Sequence, residues 1–138
     1  MTATEVLARL ASSRTASIRI EGEVRGTGTG TVEVVLEGAT VVLVDVGTWT
    51  LGGHSVRWRS SSRWRVCGNA LEVERVRQGE SARVVLEVGP DGVWRSVEAW
   101  ICGFDAYSVG VTVLEDAVEV VWTIRGAAKA SRTVTRYG

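Results

Sequence analysis

A thiol, a lone carboxylate and a phenol stand close together in Ala99-Trp100-Ile101-Cys102-Gly103-Phe104-Asp105-Ala106-Tyr107, beside two aromatic rings. Such polar groups in an apolar setting can polarise a carbonyl or move a proton. Two more charges join them as candidates. In Trp94, Ser96, Glu98, Trp100, Cys102, every second residue of one run, a carboxylate lies between two indoles. Glu98 is there either a solvated outer residue or a site acid with a raised pKa. In Leu71, Val73, Arg75 the arginine falls on the apolar face. Arg75 then points into the fold or its mouth, where it must be paired or meet an anionic ligand. Arg75 and Glu98 could also satisfy each other. Glu98, Asp105, Tyr107 and Arg75 are the candidate catalytic residues.

Several other chemistries have no residues to support them. His54 is the only histidine and follows Gly52-Gly53 in a turn. One histidine excludes a three-His zinc site, and no nucleophile elbow accompanies it. Haem held by His54 alone is formally open. Cys67 and Cys102 form no CxxC, so no metal or dithiol motif is present and no cofactor is expected. Gly26-Thr27-Gly28-Thr29-Gly30 resembles a phosphate loop, but no helix follows and the P-loop lysine is missing. It reads as a turn between strands. With 16 basic against 16 acidic residues, no net charge calls for nucleic acid or an anionic membrane. Fifteen of the basic residues are arginine and only Lys129 is lysine, a bias that fits a GC-rich bacterial genome. The N-terminus shows no signal-peptide pattern, and no apolar run approaches a membrane span. Two cysteines make no disulfide framework, so reduced thiols and a cytoplasmic location are expected.

The elements that must hold these residues are nearly all strands. Thr4 to Ala11 is the one helix candidate, capped by Thr2 or Thr4, with Val6, Leu7 and Leu10 as its apolar stripe. Ile18, Ile20, Gly22 and Val24 then alternate with Arg19, Glu21 and Glu23. Val32 to Glu37 alternates likewise, and Thr40 to Val46 is nearly continuously apolar, with Trp49 and Leu51 continuing it. Val56 to Arg59 and Arg63 to Val66 flank a serine-rich turn. Further strands cover Leu71 to Arg77, Ala82 to Val88, Val93 to Ile101, Tyr107 to Leu114, Val118 to Arg125 and a last run ending near Tyr137. Turns at Gln78-Gly79-Glu80, Gly89-Pro90-Asp91-Gly92 and Gly126-Ala127-Ala128 separate them. About ten short strands without βαβ alternation predict an all-β, antiparallel up-and-down barrel with one short N-terminal helix, a single domain over 1–138. A Greek-key sandwich is the alternative. Long apolar strands leave a homodimer open.

Six tryptophans are many for this length. Trp58 shares a face with Val56, and Trp122 shares one with Val118, Val120 and Ile124, so both look inward. Core filling and an aromatic-lined cavity are the two readings. In the second, Trp58, Trp64, Trp94, Trp100, Phe104 and Trp122 line a site for an apolar molecule.

The C-terminal part resembles a lipocalin-like (calycin) bacterial family known as domain of unknown function 6314. The likeness covers roughly residues 56 to 138. It is carried by Ser62-Arg63-Trp64-Arg65, Leu71-Glu72-Val73-Glu74-Arg75-Val76-Arg77, Cys102-Gly103-Phe104-Asp105-Ala106-Tyr107, Trp122-Thr123-Ile124-Arg125-Gly126-Ala127-Ala128-Lys129 and Thr135-Arg136-Tyr137. The family pattern runs His-x-Cys-x-x-Asp-x-Tyr and later Trp-x-Val-x-Gly-Pro-x-Lys. Cys102, Asp105, Tyr107 and Lys129 keep it, while Trp100 replaces the His and Ala127 the Pro. Loss of the His removes an acid-base group and makes the site more apolar. The kept residues are either a functional cluster or structural: Asp105 bonding turn amides or pairing with Lys129, and Tyr107 anchoring a strand end.

Two functions follow as expectations. The first is a cofactor-independent cyclase or isomerase, pericyclic chemistry included, of a bacterial natural-product pathway, working by orientation and exclusion of water. The second is a non-catalytic lipocalin-like carrier or sensor of an apolar small molecule. They differ in whether Glu98, Asp105 or Tyr107 faces the lumen. A filled β-rich interaction domain is a weaker third reading.

Overall fold

The computed structural model describes residues 1–22, 24–77, 80–126 and 130–138, and the side chains of these except Val76, Arg77 and Glu80. The turns read at Gln78-Gly79 and at Ala127-Ala128, and the family lysine Lys129, lie outside the described residues.

Helix α1 spans Ala3–Ala11. Thr2 caps it, and the Glu5 side chain returns the bond in a capping box. Strands β1 (Thr15–Gly22), β2 (Gly26–Glu37), β3 (Thr40–Leu51), β4 (His54–Cys67), β5 (Ala70–Arg77) and β6 (Glu80–Val88) follow, each antiparallel to the one before. Then come β7 (Trp94–Ser96), β8 (Trp100–Cys102), β9 (Asp105–Val113), β10 (Val118–Arg125) and β11 (Ala130–Tyr137). β11 pairs with both β1 and β10, and β9 pairs with both β7 and β10. The sheet therefore closes into a ten-stranded antiparallel barrel, with β8 added beside β9 at one end. Closure leaves the ring without a free edge.

Two expected turns are strands. Gly26 to Gly30 begins β2, and Ser60-Ser61-Ser62 lies inside the unbroken β4. The glycines of β2 alternate with Thr27 and Thr29, so Gly26, Gly28 and Gly30 share the inner face. There they leave room for bulky neighbours. A Cβ on Gly28 would stand 3.0 Å from Trp58 Cζ3 and 3.1 Å from Ile18 Cγ2. Glycine here marks close packing, not a loop. Conversely, the run read as one strand from Val93 to Ile101 is split. Arg95 pairs with Gly110 and Trp100 with Tyr107, five steps along one chain against three along the other. The excess bulges outward around residues 97–99. Ser96 holds the break: its hydroxyl donates to Val109 O (3.0 Å) and accepts from Val109 N (2.6 Å).

α1 closes one end of the barrel. It packs against β3, β4, β5 and β10, and the Arg9 guanidinium donates to Leu114 O at 3.1 Å. Val6 and Leu10 are fully buried in a core that includes Leu43, Trp64, Leu71, Leu86 and Trp94. Leu10→Ala is expected to cost about 3 kcal/mol, because the rigid strands cannot collapse into the space. Thermal melting of the variant checks this. The opposite end, where the Gly52-Gly53 and Gly103-Phe104 turns lie, has no helix over it among the described residues. No helix of the described residues is long and apolar enough to cross a membrane.

Candidate functional site

Along β3 the inner face reads Val41, Leu43, Asp45, so one carboxylate lies among the apolar side chains. Asp45 is only 4% exposed. The register sets Ser60 of β4 directly opposite it. Tyr137, near the end of β11, reaches across the barrel. The Tyr137 hydroxyl donates to Asp45 Oδ2 at 2.7 Å, and the Ser60 hydroxyl donates to the same oxygen at 3.2 Å. Asp45 Oδ1 is buried without a hydrogen-bond partner. Each carboxylate oxygen offers two acceptor sites, so one side of this group is held and the other bare.

Burial raises the Asp45 carboxyl above the usual carboxylate range, against the lowering effect of the Tyr137 and Ser60 bonds and of the Arg75 charge. Burial, followed by the adjacent carboxylate, holds the Tyr137 phenol well above its ordinary value. Arg75 faces the same cleft, as the alternation of β5 predicts. Its guanidinium carbon lies 5.5 Å from the centroid of the Trp122 ring, a cation–π distance. Ile18, Ser61, Ser62, Trp64 and Thr135 complete the walls. The free space is about 20 Å³, enough for one water-sized group.

Beside this cluster stand two more buried polar atoms. Trp49 and Trp58 meet edge to face, their centroids 5.6 Å apart. The Trp58 ring lies over Gly47, which follows Asp45 on the inner face of β3. The indole N–H groups of Trp49 and Trp58 are both buried without an acceptor.

The residues singled out from the sequence separate into four places. Arg75, Trp58, Trp64 and Trp122 belong to the lumen. Trp64 and Trp94 are 1% and 2% exposed, and Trp94 fills the core instead of lining a cavity. Asp105 and Tyr107 share the inward face of β9 toward the end opposite α1, where Tyr107 pairs with Ile124. Asp105 Oδ1 packs against Gly126, and Tyr107 lies against the core cluster. Trp100 stands opposite Tyr107 but is 38% exposed. Glu98 and Phe104 do not face the lumen. Glu98 is carried outward by the bulge between β7 and β8, and Phe104 is 94% exposed at the tip of a turn. Glu98 is exposed, whereas Arg75 lines the lumenal cleft. Pairing of Asp105 with Lys129 lies outside the described residues. Cys67 and Cys102 are not joined in a disulfide, and His54 is exposed at the start of β4.

Asp45, Ser60, Ser62 and Tyr137 were not legible as site residues. The alternation Val41, Leu43, Asp45 carries the same signal that marks Arg75, but the apolar residues on both sides of Asp45 hide it. Ser62 has a local task as well, accepting the Trp64 indole N–H at 2.8 Å.

Residues 7–138 match the model of a family described as a family of unknown function, DUF6314. No curated protein and no solved structure matches the chain. The match extends beyond the C-terminal resemblance to most of α1 and to β1–β3, and so includes Asp45.

Proposed function

The chain belongs to the DUF6314 family of unknown function, and from its own site we propose that it binds an apolar small molecule in a lipocalin-like (calycin) lumen and acts on it as a cofactor-independent cyclase or isomerase. The observation that carries this is Asp45, which lines the cleft: one oxygen is fixed by two hydroxyls and the other is buried without a donor. A carboxyl held this way is oriented to exchange a proton through Oδ1. Its raised pKa brings it closer to neutral pH, where a proton-transfer group works best. A proton taken from one position of the substrate and returned to another makes an isomer without any co-reactant. Negative charge arising on a carbonyl oxygen in between would be stabilised by Arg75. A natural-product pathway would supply an apolar substrate that suits the aromatic walls Trp64 and Trp122.

The second reading is a carrier that binds without reaction. The small free space at Asp45 favours it, because it admits one polar group and leaves the carbon skeleton outside.

Intrinsic tryptophan fluorescence during titration with polyenes, polyketide-like lactones, fatty acids and haem tests the lumen. Saturable quenching at micromolar ligand is expected, weakened in Trp58→Leu. A flat response across the panel rejects both readings. Bound ligands are then followed for conversion by mass-neutral product analysis. Conversion by the parent protein separates the enzyme from the carrier.

A further inference from the structure

We propose that the lumen selects a ligand whose head is a hydroxyl group, with the hydroxyl donating to Asp45 Oδ1 and the apolar body extending toward the end opposite α1. The inference deepens the lumenal reading and rests on it. Three observations carry it.

The first is the unmet acceptor. Asp45 is 4% exposed, and Oδ1 has no donor while Oδ2 has two. A buried acceptor without a donor is costly, and a ligand supplying one removes that cost. The second is size. The 20 Å³ cleft that Asp45 lines accepts one group about as large as water, which a hydroxyl matches and a ring or branched head does not. The third is direction. Beyond the cluster, toward α1, the barrel is filled by Leu43, Trp64 and Leu10, all essentially inaccessible. In the other direction lie Trp58 and Trp49 on β4 and β3. The unpaired indole N–H groups on that side suit an oxygen acceptor further along the same molecule.

The main competitor is an anionic head met by Arg75. A carboxylate in this cleft would stand beside the Asp45 carboxylate, and like charges sharing a site oppose each other. Arg75 is already near Asp45 and stacked on Trp122, so its charge is partly balanced.

The test compares decanol, decyl methyl ether and decanoate by tryptophan fluorescence at pH 7, on the parent protein and on Asp45→Ala. Decanol is expected to bind about tenfold or more tighter than the ether, the worth of one hydrogen bond to a charged acceptor. In Asp45→Ala that preference should fall below about threefold while the ether keeps its affinity. Equal affinity for decanol and the ether in the parent protein overturns the hydroxyl inference and leaves the lumenal reading standing. Tightest binding of decanoate also overturns it and assigns the anchor to Arg75. Absence of binding by all three overturns the inference and the lumenal reading together. If Asp45→Ala does not fold, the three ligands on the parent protein decide the outcome alone.

Discussion

Asp45→Asn is expected to lose turnover by about a hundredfold or more, the usual worth of a proton-transfer group, while affinity for an apolar ligand without a hydroxyl head stays within a few-fold. The same variant should be more stable than the parent protein at pH 7. The carboxyl is raised in the folded state because burial disfavours its charge. The folded protein therefore holds the proton more tightly than the unfolded chain. Between the ordinary carboxylate value of 3.8 and the raised folded value, the folded state binds more protons. Stability of the parent protein thus falls as pH rises through that window and stays lower above it. Asparagine carries no charge to desolvate. The advantage of Asp45→Asn should be small near pH 3 and grow toward pH 7, because only the charged carboxylate is disfavoured by burial. Melting curves at both pH values read the difference. A variant equally active and no more stable would make Asp45 a structural group held by Tyr137 and Ser60, and would sink the proposed role. A site residue that costs stability is the ordinary trade between activity and folding.

Gly47→Val is expected to cost about 3 kcal/mol, lowering the melting temperature by roughly 10 °C. A Cβ at this position meets the Trp58 ring and the Thr29 carbonyl oxygen, and the second is backbone that cannot turn away. Gly110→Ala is the control: its Cβ meets nothing closer than Trp94 O at 3.9 Å, so its effect should lie within about 0.5 kcal/mol. Trp58→Leu removes one of the two obstacles at Gly47. Combined with Gly47→Val it should cost less than the sum of the single changes, as contacting residues do. Full additivity would show that the indole does not lie over Gly47. The same double variant tests whether Gly47 is there to seat Trp58.

Alternation along single strands was enough to establish much of this protein. It marks the strands on either side of each tight turn, because side chains on a half-buried strand face core and solvent in turn. It places Arg75, Trp58 and Trp122 on the inner face, and it sets a short capped helix before the first strand. Each of these depends on residues within a few positions of one another.

What the tertiary structure alone decided depends on partners far apart in the chain. Tyr137 and Asp45 are 92 residues apart and meet because β11 closes the ring onto β1. Glu98 keeps the spacing of an inward residue yet faces outward, since its register is set by β9 and the two extra residues it accommodates, not by its own neighbours. Gly26 to Gly30 carries every local mark of a turn and is nevertheless a strand, because Leu51 fills the space at Gly26, Trp58 and Ile18 fill it at Gly28, and the β3 backbone lies close to Gly30. Period-2 reasoning assigns a side chain to a face. Only the closed barrel determines which side chains on that face meet, and which buried oxygen is left without a donor.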